Sequence, residues 1–380
     1  MLQIADCAVE NGHEVRTFSK KWKKQNAKRD YHSYYGTTFE NGLHVILWKL
    51  IGFQGLFSYF GTKQLVKELK RFNPDIVHLH NLHDSSTCLP VLFDYLAKSN
   101  IQTVWTLHDC WAMTGQCPYF TMVKCERWKT GCHDCPQKSA ILPVDCSKWM
   151  WKKKKQWFTS VRNMTIVTPS KWLADLCKQS YLSKYPVRVI HNGINLSVFN
   201  PTETSTESQI KKSKYLVLGV AMGWGERKGF DLVIELRKKL SNDYQILLVG
   251  VSEEIKANPP AGIDVITRTD NQEQLAELYS AADVFINPTR EDNFPTTNIE
   301  AIACGTPVVT TDVGGSPEML DGNCGRVVQS ENVDRLAYEV MEICEKKPFT
   351  SEACVKRAQL FSGHDRYKDY VDLFESLISG

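Results

Sequence analysis

The sequence predicts an α/β protein with two domains, each built on a parallel β-sheet. The chain has 380 residues, which is more than one hydrophobic core usually supports. Short apolar runs that resemble strands alternate with helical segments in both halves, a pattern typical of parallel sheets covered on both faces. The polar stretch 200–214, rich in Ser, Thr and Glu, interrupts the series and is typical of an exposed linker.

Composition narrows the class of protein further. A net charge of +3 gives no reason to expect a nucleic-acid partner. The best candidate for a membrane span, 45–60, is interrupted by Lys49, Gly52 and Gly55. Thirteen cysteines without a signal peptide indicate reduced thiols rather than a secreted disulfide scaffold. We therefore expect a soluble, cytoplasmic protein.

The first predicted domain covers residues 1–199. It begins with a helix, because Leu2, Ala5 and Val9 share one face and Gly12 follows as a cap. A second helix is predicted on Leu65–Phe72. The predicted strands are His13–Phe18, Asp75–His80, Thr103–Leu107, Met164–Thr168 and Val187–His191.

The opening helix has no N-cap, and a domain of this kind should start with a strand and a turn before it. We therefore expect the first strand of this domain to be missing. The alternative is a genuine variant with a shorter sheet.

The second predicted domain covers residues 215–362. A final helix, 363–380, is expected to pack back toward the first domain. Helices are predicted on Gln272–Ala281 and Asn298–Ala303. The predicted strands are Tyr215–Val220, Gln245–Val249, Ile263–Ile266, Val284–Asn287 and Val308–Thr310.

Loops that follow strands are the candidates for chemistry, because ligands of open parallel sheets bind beyond the carboxyl ends of the strands. The loop from Arg290 places Asp292 before a helix N-terminus and Glu300 inside that helix. Free N–H groups at the start of the helix can bind a diphosphate. The alternative is a loop carboxylate beside a helix-surface carboxylate, neither with a function.

The block Arg290–Glu318, which ends in Thr311-Asp-Val-Gly-Gly-Ser-Pro-Glu318, resembles the donor-site signature of glycosyltransferase family 4. The resemblance implies the GT-B fold, in which two Rossmann-like domains face each other across a cleft, and retention of anomeric configuration without a catalytic metal. The family usually has Glu-x7-Glu, whereas this chain has Asp292-x7-Glu300 with Glu291 one residue earlier. The resemblance assigns the first acid to the donor sugar and the second to the nucleotide ribose. It also places four neighbours at the donor: Glu291, Asn293, Phe294 and Pro295.

Two further loops resemble parts of the same family. The segment Gly223–Gly229 resembles its basic diphosphate-binding loop, with Lys228 matching and Arg227 beside it, although the family's usual Arg is replaced by Gly223. Such cations would neutralise the charge on the departing diphosphate; the alternative is two solvated charges. His108 follows a predicted strand where the family has a His that faces the donor. Lys228, Asp292 and His108 are thus the catalytic candidates.

The segment Trp105–Cys117 and the cysteine-rich stretch after it resemble a bacterial branch associated with exopolysaccharide and capsule assembly. The resemblance implies a hexosyltransferase-type enzyme that moves a sugar from a nucleotide-sugar donor to a saccharide or lipid-linked saccharide acceptor. Two alternatives remain open: a sugar-nucleotide epimerase of the same fold, and an inactive or truncated protein that binds or scaffolds.

The insertion 110–146 contains Cys117, Cys125, Cys132 and Cys135 in the pattern Cys-x7-Cys-x6-Cys-x2-Cys. Four thiolates at short spacing can close a tetrahedral zinc site in a segment too polar to order itself. We predict a structural zinc. Unliganded thiols or an iron–sulfur cluster are the alternatives, and His133 or Cys110 could replace one ligand.

The segment 148–158 combines five lysines with three tryptophans. Basic residues with interfacial aromatics suit an anionic membrane surface, so peripheral contact with the inner face of the cytoplasmic membrane is one expectation. The other is a solvated helix face whose tryptophans pack inward.

Overall fold

The structure is a computed structural model that describes residues 1–20, 29–83, 87–137, 144–202 and 213–379. It divides into two compact units, Met1–Ile190 with Tyr367–Gly380 and His191–Arg366. The chain thus leaves the first unit before the predicted linker 200–214, of which residues 203–212 lie outside the described residues. It returns to the first unit inside its last helix.

The first unit contains helices and parallel strands in alternation. Its helices are α1 (Leu2–Glu10), α2 (Thr38–Ile51), α3 (Tyr59–Phe72), α4 (Leu89–Lys98), α5 (Ser147–Phe158) and α6 (Lys171–Lys178). Its strands are β1 (Thr17–Lys20), β2 (His32–Tyr35), β3 (Ile76–Leu79), β4 (Gln102–Thr106), β5 (Met164–Thr168) and β6 (Val187–Val189).

These strands form two separate parallel sheets. One has the order β3-β4-β5-β6, and the other pairs β1 with β2. A cavity of about 610 Å³ is lined by residues of both sheets and of α1, among them Ala8, Phe18 and Val77. The expectation of a strand preceding α1 is not tested by this arrangement and stays a prediction.

The second unit is built on one sheet of six parallel strands. Its strands are β7 (Tyr215–Val220), β8 (Tyr244–Val249), β9 (Ile263–Ile266), β10 (Val284–Asn287), β11 (Val308–Thr311) and β12 (Gly325–Val328). Its helices are α7 (Phe230–Lys239), α8 (Glu253–Ala257), α9 (Gln272–Ala281), α10 (Thr296–Ala303), α11 (Val333–Lys346) and α12 (Ser351–Ala358). The strand order is β12-β11-β10-β7-β8-β9, which is that of a doubly wound Rossmann sheet.

The last helix, α13 (Gly363–Ser379), begins in the second unit and ends in the first. Tyr370 is buried in one apolar cluster with Ile4, Val104 and Val167. Its hydroxyl accepts a hydrogen bond from Thr106 Oγ1 at 3.2 Å. The C-terminal residues are therefore part of the core of the first unit.

The predicted strand His13–Phe18 was wrong in its bounds. The strand β1 starts at Thr17, the first residue with a parallel partner, His32 on β2. Residues 13–16 precede that pairing and have no strand conformation. No helix among the described residues is both long and apolar enough to cross a membrane.

Candidate active site

The strand order of the second unit marks where a ligand should bind. Strand order reverses between β7 and β10, which lie side by side in the sheet. The loops that leave the carboxyl ends of two such strands diverge and leave a crevice for ligands. Residues 221–229 and 288–295 are therefore the loops that border this crevice.

A close backbone approach joins these two loops. Gly229 ends a short 3₁₀ turn, Glu226–Lys228, in a left-handed conformation with φ of 73°. A Cβ atom at this position would lie 2.2 Å from the carbonyl oxygen of Pro288. Only glycine combines this dihedral angle with this contact.

The predicted catalytic residues Lys228 and Asp292 meet across the loops. Lys228 Nζ lies 2.5 Å from Asp292 Oδ2, and the side chains are only 17% and 13% exposed. A charge-assisted contact so shielded from water fixes both groups. The structure thus places one cation and one carboxylate at the point where strand order reverses.

Arg227 holds the backbone beside this pair. Its Nη1 donates to the carbonyl oxygen of Glu291 at 2.9 Å, while its own carbonyl accepts from the backbone N–H of Arg290 at 2.8 Å. Thr289 Oγ1 also donates to the carbonyl of Glu291, at 3.0 Å. Arg227, predicted to bind donor phosphate, is thus engaged in bracing the loop that carries Asp292.

The turn after β11 closes against the same loop. Gly314 has a φ of 60°, and a Cβ there would lie 1.7 Å from the carbonyl oxygen of Asp292. The Gly-Gly pair in the signature therefore lets this turn lie directly against Asp292.

Arg290 forms an ion-pair network that the sequence did not reveal. Its guanidinium donates to Asp231 at 2.7 Å and to Glu331 at 2.5 Å. These hydrogen bonds hold the pKa of both carboxyl groups below their usual range. The partners are 59 and 41 residues away in sequence, so no local pattern could have identified them.

The residues predicted after Asp292 form the entry into α10. Asn293 and Phe294 are buried, and Pro295 is the N-cap residue. The Phe294 ring stacks on His191 with 4.9 Å between centroids and 8° between planes. The first turn of α10, whose N–H groups have no partner within the helix, follows directly on this packed segment.

Glu300 lies on α10 and belongs to a different hydrogen-bond set. Its Oε2 accepts from the Tyr279 hydroxyl at 3.0 Å, and Thr296 supplies a second side-chain hydrogen bond. Burial raises the pKa of Glu300, and the two hydrogen bonds act in the opposite direction. Lys228, Asp292, Arg227 and the Glu291 backbone are thus brought together, whereas Glu300 pairs with Tyr279.

His108 lies in the first unit, two residues beyond β4. Its Nε2 is 3.1 Å from Nδ1 of His80, which follows β3, and the two rings stack. Burial lowers the pKa of His108 to about 4, with Asp109 opposing the shift. The imidazole is therefore neutral near pH 7 and can offer a hydrogen bond but not a charge.

The four predicted metal ligands, Cys117, Cys125, Cys132 and Cys135, line one cavity of about 20 Å³ in the first unit. As the side chains stand, the described parts of the chain contain no group of three His, Cys, Asp or Glu residues arranged to hold a metal ion. The four cysteines thus border one cavity, while the predicted convergence of their sulfurs on one point stays a prediction.

The segment 148–158 is helix α5, and its faces differ. Trp151 is buried and Lys154 is completely buried, whereas Trp149 is 41% exposed. The alternative of a solvated face with inward-packed tryptophans therefore fails at two positions, since Lys154 is buried and Trp149 is exposed. The Lys154 Nζ lies 3.6 Å from the centre of the Trp111 ring.

Comparisons with known proteins agree with this architecture. Residues 1–198 match the model of Glycosyltransferase Family 4, and residues 214–346 match that of Glycosyl transferases group 1. A putative colanic acid biosynthesis glycosyl transferase, WcaC of Escherichia coli K12, is 26% identical over 99% of this chain and 95% of its own length.

Solved structures show the same fold. Sucrose-phosphate synthase from Thermosynechococcus elongatus has a TM-score of 0.71 at 17% identity, covering 99% of this chain and 92% of its own. Anabaena HepE in complex with UDP-glucose has a TM-score of 0.62 at 14% identity, covering 94% and 98%. With a family model matched over more than half of its 380 residues, the chain belongs to glycosyltransferase family 4 and is a glycosyltransferase with the GT-B fold.

Proposed function

We propose that the chain transfers a sugar from a nucleoside diphosphate sugar to a saccharide or lipid-linked saccharide during synthesis of a surface polysaccharide. The observation that carries the proposal is the ion pair between Lys228 and Asp292, which joins the loops after β7 and β10. Both groups stand where a doubly wound sheet binds its ligand.

The donor fits this position by charge. A diphosphate carries negative charge that Lys228 and the first N–H groups of α10 can compensate. HepE, which shares the fold, was solved in complex with UDP-glucose. UDP-sugars are therefore the first donors to test. Glu300, held by Tyr279, is the candidate for the ribose hydroxyls.

In the proposed reaction, the bond between the anomeric carbon and the donor phosphate oxygen breaks. A bond from the acceptor oxygen to the same face of that carbon forms, and the acceptor proton passes to the leaving diphosphate. Charge grows on the diphosphate as the bond breaks, so a preorganised cation lowers the barrier more than it strengthens substrate binding. Lys228 supplies that cation, and Asp292 holds it in position before the donor binds.

His108 contributes a neutral hydrogen-bonding group in this proposal. Because burial keeps its pKa near 4, the imidazole neither repels nor attracts a diphosphate at pH 7. A hydrogen bond to a donor hydroxyl, or contact with its backbone carbonyl, suits a sugar that gains oxocarbenium character.

The acceptor class is proposed from the relative WcaC, whose name refers to colanic acid biosynthesis. An acceptor anchored in lipid requires the enzyme to reach a membrane. Helix α2 presents an exposed apolar stripe at helical spacing: Phe39, Leu43, Ile46 and Leu50. The end of α2 abuts the start of α5, since Phe53 contacts the exposed Trp149 at 4.9 Å between ring centroids.

Exposed lysines of α5, including Lys148 and Lys152, add positive charge beside this stripe. We propose that α2 and α5 bind the cytoplasmic face of an anionic bilayer without crossing it. Ile46→Glu should reduce co-flotation with vesicles of phosphatidylcholine and phosphatidylglycerol severalfold. Leu360→Glu, an equally exposed apolar site in the second unit, is the matched control. Equal loss in both variants, or binding that pure phosphatidylcholine supports equally well, would contradict membrane docking here.

The activity itself is tested with the full chain. Nucleotide sugars, beginning with UDP-glucose, are screened by thermal shift and then assayed for nucleoside diphosphate release and product formation with saccharide acceptors. Lys228→Ala should lower turnover about 100- to 1000-fold through lost charge compensation. Lys238→Ala removes an exposed lysine paired with Glu235 on α7 and should leave turnover unchanged.

Three outcomes separate the candidate functions. Product on the acceptor, sensitive to Lys228→Ala, supports transfer. An altered sugar nucleotide formed without acceptor supports an epimerase. Tight nucleotide-sugar binding without turnover on any acceptor supports a binding or scaffolding protein.

A further inference from the structure

The insertion between β4 and α5 gathers its cysteines around one small space. Residues Cys117, Cys125, Cys132 and Cys135 all line a cavity of about 20 Å³, and Cys117 and Cys135 are hydrogen-bonded to each other. A space of this size holds roughly one water-sized sphere. It therefore suits a single ion rather than a larger ligand.

The backbone bends sharply in front of three of these cysteines. Lys124, which precedes Cys125, has a φ of 47°, and Asp134, which precedes Cys135, has a φ of 42°. Gly131, before Cys132, also has a positive φ. Side-chain-bearing residues rarely adopt this left-handed conformation, and when they do the surrounding structure or a function enforces it. The turns direct the three following cysteines to the same space.

Hydrogen-bond donors point at the sulfur atoms. The backbone N–H of Gly115 lies 3.2 Å from Cys132 Sγ. Gln116 and the backbone of Gln137 donate toward Cys135, and Thr114 contacts Cys117. Donors around cysteine sulfur stabilise the thiolate form and orient it, as outer-shell partners do for metal ligands.

A buried cation stands beside the cluster. Lys154 is completely buried, and it lies close enough to Cys117 and Cys132 for their ionised forms to interact with its ammonium group. Zinc bound by four thiolates carries net negative charge, which an adjacent ammonium would offset. The Lys154 ammonium would thus offset one of the two negative charges of a four-thiolate zinc complex.

We propose that Cys117, Cys125, Cys132 and Cys135 bind one structural Zn²⁺ and that Lys154 offsets part of the negative charge of the complex. Binding releases the protons that the thiols carry and requires the side chains to rearrange around the ion, since the described residues show no finished shell. His133 also lines the cavity, but its Nδ1 is 2.9 Å from the carbonyl oxygen of Gly131. Cys110 is not among the residues that line this cavity.

Metal analysis of the full chain tests the proposal. Protein purified under reducing conditions without chelator should contain about one zinc per chain, released when a mercurial reagent blocks the thiols. Cys135→Ser should reduce zinc to below about a tenth of an equivalent. Cys146→Ser, a buried thiol of the same insertion that donates to the carbonyl of Ile51, should keep it.

A second measurement covers the case in which Cys135→Ser does not fold. Wild-type chain reconstituted with Co²⁺ should show thiolate-to-metal charge transfer and the intense visible bands of tetrahedral coordination. Less than about a tenth of an equivalent of zinc in the wild type, a mass lower by two hydrogens from a Cys117–Cys135 disulfide, or iron with acid-labile sulfide would each overturn it.

Discussion

The two units differ in how their sheets are completed. The second unit has six parallel strands in one sheet, and every loop at its switch point is tied to a neighbour by hydrogen bonds or a glycine contact. The described residues of the first unit divide six strands between two sheets, with a cavity of about 610 Å³ lined by both. The second unit therefore holds its charged groups in place before any ligand arrives, whereas the first unit keeps a cavity lined by His80, the hydrogen-bond partner of His108.

Polar groups in the interior differ in the same way. The second unit fixes charges as pairs, such as Lys228 with Asp292. The first unit instead buries neutral histidines, of which His80 and His108 stack. Paired charges resist a change of pH near neutrality, while buried neutral histidines resist it only until they must accept a proton.

The largest expected effect is an acid response confined to the first unit. Burial lowers the pKa of His44 and His108 to about 4 and of His78 to about 3, and it lowers that of His80 as well. Because unfolded histidines take up protons near pH 6.5, stability should fall as the pH drops from about 6.5 toward 4. Each histidine contributes up to about 1.4 kcal/mol per pH unit.

Hydrogen exchange measured peptide by peptide at pH 7 and pH 5, corrected for intrinsic rates, should show this loss in the first unit. His44→Gln preserves a hydrogen-bond partner for Ser58. It should lower the number of protons that the chain takes up on unfolding at acid pH by about one. Equal loss of protection in both units would contradict the comparison.

Gly314→Ala tests how rigidly the second unit holds the loop that carries Asp292. A Cβ would meet the Asp292 carbonyl oxygen at 1.7 Å in a left-handed conformation, so the loss should reach about 3 kcal/mol, and the displaced Asp292 should weaken UDP-sugar binding. Gly322→Ala has the same sign of φ with nothing within 4 Å, and should cost only about 1 kcal/mol. Chemical denaturation of both variants gives the difference; equal costs would show that the loop moves aside freely.

His108→Ala separates turnover from nucleotide binding. Turnover should fall about 10- to 100-fold, because a hydrogen-bonding group is lost, while UDP affinity stays within about twofold. The pKa of this imidazole is about 4, so its titration should cause no change in the wild-type rate between pH 5.5 and 8. Exposed His364 provides the control substitution. A matched loss of UDP affinity would assign His108 to binding instead.

The smallest effect concerns Arg290. Replacing it by Met removes hydrogen bonds to Asp231 and Glu331, whose side chains are each 57% exposed, so screening limits the loss to about 1 kcal/mol at pH 7. Both carboxyl pKa values are depressed in the folded state. The stabilisation is thus present above about pH 4 and disappears at lower pH. Urea titrations at pH 7 and pH 3 check this, and an equal difference at both values would show that packing, not charge, is responsible.

Sequence patterns predicted the strands that are buried in the two domains. Apolar runs such as Met164–Thr168 and Tyr215–Val220 became strands with the expected bounds, because buried parallel strands read as continuous apolar segments. Helix α2 was missed. Its apolar residues face outward, so they resembled an interrupted span.

Contacts between distant segments could not be predicted. Lys154 belongs to a run of lysines that reads as solvated, yet the Trp111 ring and a carbonyl 43 residues away enclose its ammonium group. The Lys228–Asp292 pair joins residues 64 apart in sequence. Motif resemblance assigned the two residues to two separate loops of the donor site, but only the strand order explains why these loops meet.

The path of helix α13 has a consequence for synthesis on the ribosome. The first unit begins the chain, but Tyr370 and Val371 complete its apolar clusters with Val104 and Cys7. Chains emerge from the N-terminus, so the second unit can finish folding while the first still lacks part of its core. A stop codon or a bulky fusion within the last dozen residues should therefore damage the part of the protein made earliest.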